Sequence, residues 1–170
     1  MRGLQRALSW IYPAQCLLCT TLVEEQGGLC PDCWRGTPFL LGLVCDSCGC
    51  SLPGSSDSDE KCDDCLATPR PWSAGRAALS YSGQGRRIVL SLKHGDRTDL
   101  ALPAAEWMLR VGQAMHADAP LFVPVPVHWS RLLARRYNQA AELSRALSKL
   151  SGEDYCPDAL IRNRRTPTQD

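Results

Sequence analysis

Residues 16–33 read CLLCTTLVEEQGGLCPDC, and residues 45–65 read CDSCGCSLPGSSDSDEKCDDC. Each stretch contains two C-x-x-C pairs, separated by ten residues in the first stretch and by thirteen in the second. A C-x-x-C turn can direct two thiolates at one ion, and two such turns supply the four sulfur ligands that tetrahedral zinc prefers. We therefore predict two structural zinc sites. Their ligands are Cys16, Cys19, Cys30 and Cys33 in the first site, and Cys45, Cys48, Cys62 and Cys65 in the second.

Other uses of paired cysteines fit this pattern less well. A disulfide framework requires a secretory route, and the start of the chain lacks the continuous apolar core of a signal peptide. A redox C-x-x-C motif normally occurs once, at the start of a helix that follows a strand. Four cysteines also suit an iron–sulfur cluster, but the repeated turns favour zinc ribbons. Assigning the ligands in chain order is a choice, since the turns could also pair in an interleaved way; Cys50 and Cys156 belong to neither predicted site.

The composition describes two unlike halves. The 170 residues carry a formal charge of +1 and contain no apolar run of the roughly 18 residues that a bilayer span requires. Residues 1–70 hold five basic and nine acidic side chains, whereas residues 71–170 hold fourteen and nine. We interpret residues 1–70 as a double zinc ribbon and residues 71–170 as a basic domain better suited to binding anions. Reduced thiols and the missing signal peptide lead us to expect a cytoplasmic protein that does not insert into membranes.

The sequence after residue 71 has the pattern of an α/β domain. Residues 77–81 predict a short strand, which Gly83-Gln-Gly85 interrupts. Residues 86–94 have helical apolar spacing and stop at Gly95, where a helix C-cap would fall. Residues 100–115 predict a second helix with a proline in its first turn.

A strand and a long helix are predicted next. The apolar run 121–127 is typical of a strand buried on both faces, although its prolines place it at a sheet margin or end it early. Residues 130–150 form the strongest helical pattern of the chain. Strand, loop and helix in this order build a parallel sheet, whose ligands gather beyond the strand and at the helix N-terminus. This order places Arg131, Arg135 and Arg136 where a phosphate could meet them.

Several motifs follow one another behind the ribbons. They are residues 81–93 with Asp99-Leu100, Val123-Pro-Val-Pro126, Arg135-Arg-Tyr-Asn-Gln-Ala140 and Leu160-Ile-Arg-Asn-Arg-Arg-Thr-Pro-Thr-Gln169. In this order they resemble the ComF family of competence-associated proteins, over nearly the whole chain. The resemblance implies a bacterial cytoplasmic protein linked to the uptake of transforming DNA, with partners in that machinery. It also implies that the zinc ribbons precede an incomplete type I phosphoribosyltransferase-like (Rossmann-like) parallel-sheet domain.

The resemblance implies roles for particular residues as well. Pro126 to Arg131 corresponds to the pyrophosphate loop, and Arg162 to Gln169 to the beginning of a mobile loop over the substrate. The basic residues that would bind phosphate or pyrophosphate are Lys93, Arg131, Arg135, Arg162, Arg164 and Arg165. In a full-length form, the ligand would be similar to phosphoribosyl pyrophosphate. Many members of the family have glycine in place of Arg136 and phenylalanine in place of Tyr137.

One part of that family's pattern is missing from the sequence. Type I phosphoribosyltransferases hold phosphoribosyl pyrophosphate with an acidic pair followed by a Thr- and Gly-rich loop, whereas the one Asp-Asp pair here, Asp63-Asp64, lies inside a zinc turn. We therefore expect a C-terminally truncated member, ending at Asp170, that does not catalyse transfer. The alternative is a zinc-ribbon adaptor without enzymatic activity, which binds a protein partner or nucleic acid such as single-stranded DNA. A redox protein that cycles its C-x-x-C pairs is a third reading.

Overall fold

The computed structural model describes residues 12–113, 115 and 119–166. The missing signal peptide at the start of the chain and the end of the mobile loop at Gln169 are predictions that lie outside the described residues. The helices are α1 (Pro31–Gly36), α2 (Asp63–Ala67), α3 (Gly83–His94), a 3₁₀ turn (Thr98–Leu100), α4 (Ala101–Gly112), α5 (Trp129–Arg135) and α6 (Gln139–Ser151). The strands are β1 (Leu121–Phe122) and β2 (Asp154–Tyr155). None of the helices in these ranges is long and apolar enough to cross a membrane.

The two cysteine-rich stretches fold in the same way. In each, an antiparallel bridge closes a hairpin around the first C-x-x-C turn, and a short helix begins at the second. Cys30 is the N-cap of α1 and Cys62 is the N-cap of α2, with almost the same backbone angles (φ −66°, ψ 161° and φ −71°, ψ 159°). The repeated spacing in the sequence therefore produces a repeated structure, which we call the first and the second ribbon.

The first ribbon packs into the hydrophobic core of the protein. Leu17, between its first two cysteines, is buried together with Leu92 of α3, Leu100 of the 3₁₀ turn and Ala101 of α4. The guanidinium of Arg97 donates a hydrogen bond to the Leu17 carbonyl at 3.2 Å. Burying these side chains removes apolar surface from water, which stabilises the ribbon against the helices.

The segment at 77–81 pairs with the ribbons rather than with a sheet of the second half. Leu79 forms an isolated antiparallel bridge with Phe39, and the amide of Leu40 donates to the carbonyl of Ala78 at 3.1 Å. The predicted strand is present only as this short antiparallel pairing, in which the backbone groups of residues 78–80 find their hydrogen-bond partners in residues 38–40. The division of the chain into residues 1–70 and 71–170 stays a prediction.

The next two helices, α3 and α4, agree with the sequence pattern except at the N-terminus of α3. Helix α3 begins at Gly83, so the predicted glycine interruption forms its first turn. Gly85 is required there because a Cβ would lie 2.3 Å from the carbonyl oxygen of Ser80. The prediction that Gly95 ends the helix is confirmed by its amide, which donates to the Ser91 carbonyl at 2.8 Å. Helix α4 is confirmed as well, with its proline in the first turn.

The second half contains a strand–helix–strand unit. Strand β1 pairs in parallel with β2, in the register Leu121 with Asp154 and Phe122 with Tyr155. The α/β prediction is confirmed in this coarse form, and β1 ends early as its prolines predict. The predicted burial of residues 121–127 on both faces is wrong, since Leu121 is 55% and Val125 is 70% exposed. In the described part of the chain β2 is the one strand that pairs with β1, so neighbouring strands do not cover its faces.

The predicted single helix over 130–150 is divided into α5 and α6. Arg136 has a left-handed backbone (φ +66°) that ends α5. Asn138 then begins α6: its side-chain oxygen accepts the amide of Ala140 at 3.0 Å, and its side-chain nitrogen donates to the Val125 carbonyl at 3.1 Å. Side-chain capping of this kind competes with helix continuation, and the tie to Val125 fixes the start of α6 against the chain that follows β1.

Candidate zinc sites and anion-binding cavity

The eight predicted zinc ligands form two clusters in chain order. Within each cluster, the Sγ atom of each cysteine lies within 4.8 Å of the Sγ atoms of the other three. The clusters are Cys16, Cys19, Cys30 and Cys33, and Cys45, Cys48, Cys62 and Cys65. The interleaved pairing is thereby excluded, and the chain-order assignment of ligands is confirmed.

The sulfur separations fit tetrahedral zinc. Zinc–sulfur bonds of about 2.3 Å place two ligands of a tetrahedron about 3.8 Å apart. Cys19 Sγ and Cys30 Sγ are 3.7 Å apart in the first cluster, and Cys48 Sγ and Cys62 Sγ are 3.7 Å apart in the second. Four thiolates complete the coordination of zinc, so both are structural sites with no position left for a catalytic water.

The four thiols of a cluster do not all ionise readily, because their negative charges would repel one another. A bound divalent cation would offset this repulsion. Burial raises the pKa of Cys16, but backbone amides led by that of Cys30 lower it by more, to about 6. In the second cluster, burial and then the backbone amides of Cys62 and Cys48 act in the same way and bring the pKa of Cys45 to about 6. Other members of the clusters move the opposite way: burial and then neighbouring thiols raise the pKa of Cys33.

Two further residues lie next to the second cluster: Arg70, which the sequence does not mark, and Cys50, which the sequence analysis assigns to neither zinc site. The Arg70 guanidinium donates to Cys65 Sγ at 3.4 Å. Its positive charge stands next to a ligand that carries negative charge when zinc is bound. Arg70 follows Cys65 by only five residues, but the C-x-x-C pattern does not mark it. Cys50 is exposed beside the same cluster and is not one of its four ligands.

A second candidate site is a cavity of about 590 Å³ beyond β1, at the N-terminus of α6. Four of the six basic residues predicted to bind phosphate line it: Lys93, Arg131, Arg135 and Arg162. They come from the end of α3, from α5 and from the segment after β2. Residues 125–127 form another wall, and residues 138–140 at the start of α6 line the cavity as well, at a helix end that favours anions.

The positive charges of this cavity are not neutralised by carboxylates. Ion pairs in the described part of the chain involve Arg35, Arg76, Arg97 and Arg145, and none of the four cavity residues. All four are partly buried. Their neighbours are carbonyls and hydroxyls: Arg131 donates to the Thr166 carbonyl at 2.6 Å, and Arg162 donates to the Thr166 hydroxyl. A cluster of partly desolvated, unpaired cations favours a bound anion.

The two remaining predicted residues lie apart from the cavity. Arg164 and Arg165 are exposed and do not line it, although the Arg164 carbonyl accepts a hydrogen bond from Arg162 at 3.4 Å. Two residues that the sequence does not mark as ligands do line it, Gln139 and Thr166. The side-chain oxygen of Gln139 is buried and has no hydrogen-bond partner among the described residues, a state that is rare in proteins. Phosphate binding by all six basic residues stays a prediction.

Comparison with known proteins gives three findings. The double zinc ribbon domain family matches residues 7–66. The DNA utilization protein YhgH of Salmonella typhimurium (strain LT2) is 30% identical over 164 residues, and that of Escherichia coli (strain K12) is 28% identical over 165 residues; each alignment covers 92% of this chain and 70% of the relative. No solved structure matches the chain significantly.

Proposed function

The chain belongs to the family of the DNA utilization protein YhgH, and from that premise we propose that it is a zinc-stabilised phosphate-binding protein of DNA uptake. We place it in the cytoplasm, as a ComF-like protein whose second half derives from the type I phosphoribosyltransferase fold. Its ligand is a pyrophosphate-bearing molecule of the phosphoribosyl pyrophosphate type, and its partners are proteins of the uptake machinery. The ribbons bind zinc for structure and take no part in chemistry.

One observation carries the proposal: four partly buried cations converge on one cavity, and none of them pairs with a carboxylate of the described residues. The three arginines carry guanidinium groups, which can donate paired hydrogen bonds to the oxygens of a phosphate. Lys93 adds a mobile point charge from the last turn of α3. The site lies beyond β1 and at the start of α6, where parallel α/β units bind phosphates.

Hydrogen bonds within the protein hold the walls of this cavity in position. The hydrogen bond from Arg131 to the Thr166 carbonyl holds the segment after β2 against α5, and the hydrogen bond from Arg162 to the Thr166 hydroxyl lies within that segment. Asn138 fixes the start of α6 against Val125, so that the N-terminus of the helix keeps a constant position beside the cavity. These contacts hold the binding groups in place before the ligand arrives, which lowers the entropic cost of binding.

The proposal is tested by calorimetric titration of pyrophosphate and of phosphoribosyl pyrophosphate into the full chain at about 0.15 M salt. We expect saturable binding, weakened at least about tenfold by Arg131→Ala and by Lys93→Ala, because each removes a charged hydrogen bond. Arg87→Ala is the matched control, since this exposed arginine lies on α3 outside the cavity. Absence of saturable binding, or an equal loss in Arg87→Ala, would overturn the proposal.

A further inference from the structure

A small apolar groove, of about 80 Å³, lies where α1 of the first ribbon, residues 39–41 and the C-terminal half of α4 meet. We call it the aromatic groove. Small-molecule sites have volumes of roughly 300 Å³ or more, so this groove has room for a single apolar side chain rather than for a nucleotide. Its lining residues include Trp34, Phe39, Leu41, Ala78, Trp107 and Arg110.

Three aromatic rings are packed in a row along the aromatic groove. The ring centroids of Trp34 and Phe39 are 4.6 Å apart, and those of Phe39 and Trp107 are 5.3 Å apart in an edge-to-face arrangement. Trp107 is buried, whereas Trp34 is 46% and Leu41 is 84% exposed. The core therefore fixes the inner end of the row, while its outer end leaves an indole and a leucine in water. Aromatic residues held in this way often supply most of the binding energy of a protein interface.

An open strand edge lies beside this groove, at residues 77–81. Leu79 is paired with Phe39, and the two hydrogen bonds of this pairing are made by the residues on either side of them. In such a pair the N–H and C=O of Leu79 point away from Phe39, and neither bonds to the backbone of another described residue. Residues 77–81 also contain no charged residue and no proline, which commonly protect an edge from pairing with another chain.

Arg110 supplies a positive charge at the aromatic groove. It is exposed on α4, and it forms no ion pair with a described residue. It is also the one charged residue among those that line the groove. A carboxylate next to an inserted apolar side chain would complement this charge, which favours an acidic partner over a basic one.

We propose that the aromatic groove and the adjoining strand edge bind an extended, acidic segment of a partner protein. The backbone of the segment pairs with Leu79, as in other complexes that add a strand to a sheet edge. One large apolar side chain of the segment packs against Trp34 and Phe39, and a carboxylate on the same face of the segment meets Arg110. The aromatic groove and the anion-binding cavity have no lining residue in common, so this inference does not depend on the binding of pyrophosphate.

The test begins with a displayed library of short random peptides, selected on the full zinc-loaded chain. We expect the selected peptides to share a large apolar residue with Asp or Glu at the next position but one, because alternate side chains of a strand lie on one face. Binding of the best peptide is then measured by fluorescence titration. Trp34→Ala should weaken it at least about tenfold, as removal of a central aromatic residue does at protein interfaces. Met108→Ala, at an exposed residue of α4 outside the groove, should bind as the wild type does.

A charge reversal tests the same surface without removing an aromatic ring. Arg110→Glu should bind a peptide with Lys in place of its acidic residue about threefold more tightly than the original peptide, which reverses the preference of the wild type. Arg87→Glu is the matched control, since this exposed arginine lies on α3 outside the groove, and it should keep the preference for the acidic peptide.

Methylation of single peptide amides tests the strand pairing. Amides that face the Leu79 edge should lose binding when methylated, and the amides between them should tolerate it, because the hydrogen bonds of a strand alternate in direction. The inference is overturned if no such peptides are selected, if Trp34→Ala or Arg110→Glu binds them as the wild type does, or if methylation has the same effect at every amide. If peptides bind as expected but pyrophosphate does not, the proposed function alone fails.

Discussion

The two ribbons bind zinc alike but are joined to the protein differently. The first buries Leu17 among Leu92, Leu100 and Ala101, within the main apolar core. The second is held by polar contacts with the segment that follows it: Trp72 donates to the Ser47 carbonyl at 2.6 Å, and Arg76 pairs with Asp46 at 2.6 Å. Equal cysteine spacing thus specifies equal metal sites, while the residues between the cysteines decide what each site supports.

The first ribbon also leads directly to the anion-binding cavity. Leu92, which packs on Leu17, precedes Lys93 of the cavity wall, and the Leu92 carbonyl accepts a hydrogen bond from the Tyr137 hydroxyl at 2.5 Å. Tyr137 in turn precedes Asn138, the N-cap of α6. We infer that the first zinc supports the cavity through this chain of contacts and that the second zinc does not.

Removing one zinc ligand from each ribbon gives the largest difference between them. Cys30→Ser and Cys62→Ser should each leave one bound zinc ion in place of two, because each breaks one four-sulfur set. Cys30→Ser should also lower the hydrogen-exchange protection of α3 and α4, whose core residues pack on the first ribbon, whereas Cys62→Ser should lower it in residues 43–67 and in the attached residues 72–76 but not in α3 and α4. Equal loss of protection in α3 and α4 would contradict the difference between the ribbons.

A core substitution in the first ribbon should have the next largest effect. Leu17→Ala removes a buried side chain and should reduce the free energy of unfolding by about 3 kcal/mol, measured by urea denaturation of the zinc-loaded protein. Leu66→Ala in the second ribbon changes a side chain of a residue that is 65% exposed and should cost less than about 0.5 kcal/mol. Similar costs for the two variants would mean that the second ribbon also packs on the core.

The polar attachment of the second ribbon should be weaker but measurable. The side chains of Arg76 and Asp46 are 12% and 26% exposed, so Arg76→Ala should cost about 2 kcal/mol by leaving Asp46 and a backbone carbonyl without their donor. The pair of Arg35 and Asp32 on α1 is 75% and 88% exposed, and Arg35→Ala should cost about 0.5 kcal/mol or less. An effect of Arg76→Ala as small as that of Arg35→Ala would show that these contacts do not hold the second ribbon.

The smallest effect is expected outside both ribbons, at the junction of α5 and α6. Arg136 has a positive φ that costs an ordinary residue about 1 kcal/mol, and glycine adopts it freely. After the entropy that glycine loses on folding, Arg136→Gly should stabilise the protein by about 0.5 kcal/mol. The melting temperature should rise slightly; a fall would show that the Arg136 side chain makes a stabilising contact.

The sequence is most informative where a function depends on residues close together in the chain. The C-x-x-C spacing predicts both zinc sites, because the ligands of each turn are fixed by local geometry. Gly95 likewise marks the C-terminus of α3, and the prolines after β1 mark the end of that strand. Chain order also predicts Arg131, Arg135 and Arg136 at the start of a helix where a phosphate could meet them; Arg131 and Arg135 line the cavity and Arg136 does not.

Contacts between distant residues explain what the sequence did not predict. The break at Arg136 depends on the hydrogen bond from Asn138 to Val125, thirteen residues earlier. The segment at 77–81 pairs with Phe39 because the ribbon edge is its nearest partner. The orphaned oxygens of Gln139 and Tyr155 become visible only when burial is known.

Pyrophosphate titration of the two zinc-ligand variants tests the account most directly. With one zinc ion bound, Cys62→Ser should bind pyrophosphate within about twofold of the wild type, since the core clusters of the described residues do not join the second ribbon to the cavity. Cys30→Ser should lose saturable binding, because Leu92 and Lys93 lose their support. Equal retention or equal loss of binding in the two variants would contradict the claim that the first ribbon holds the site.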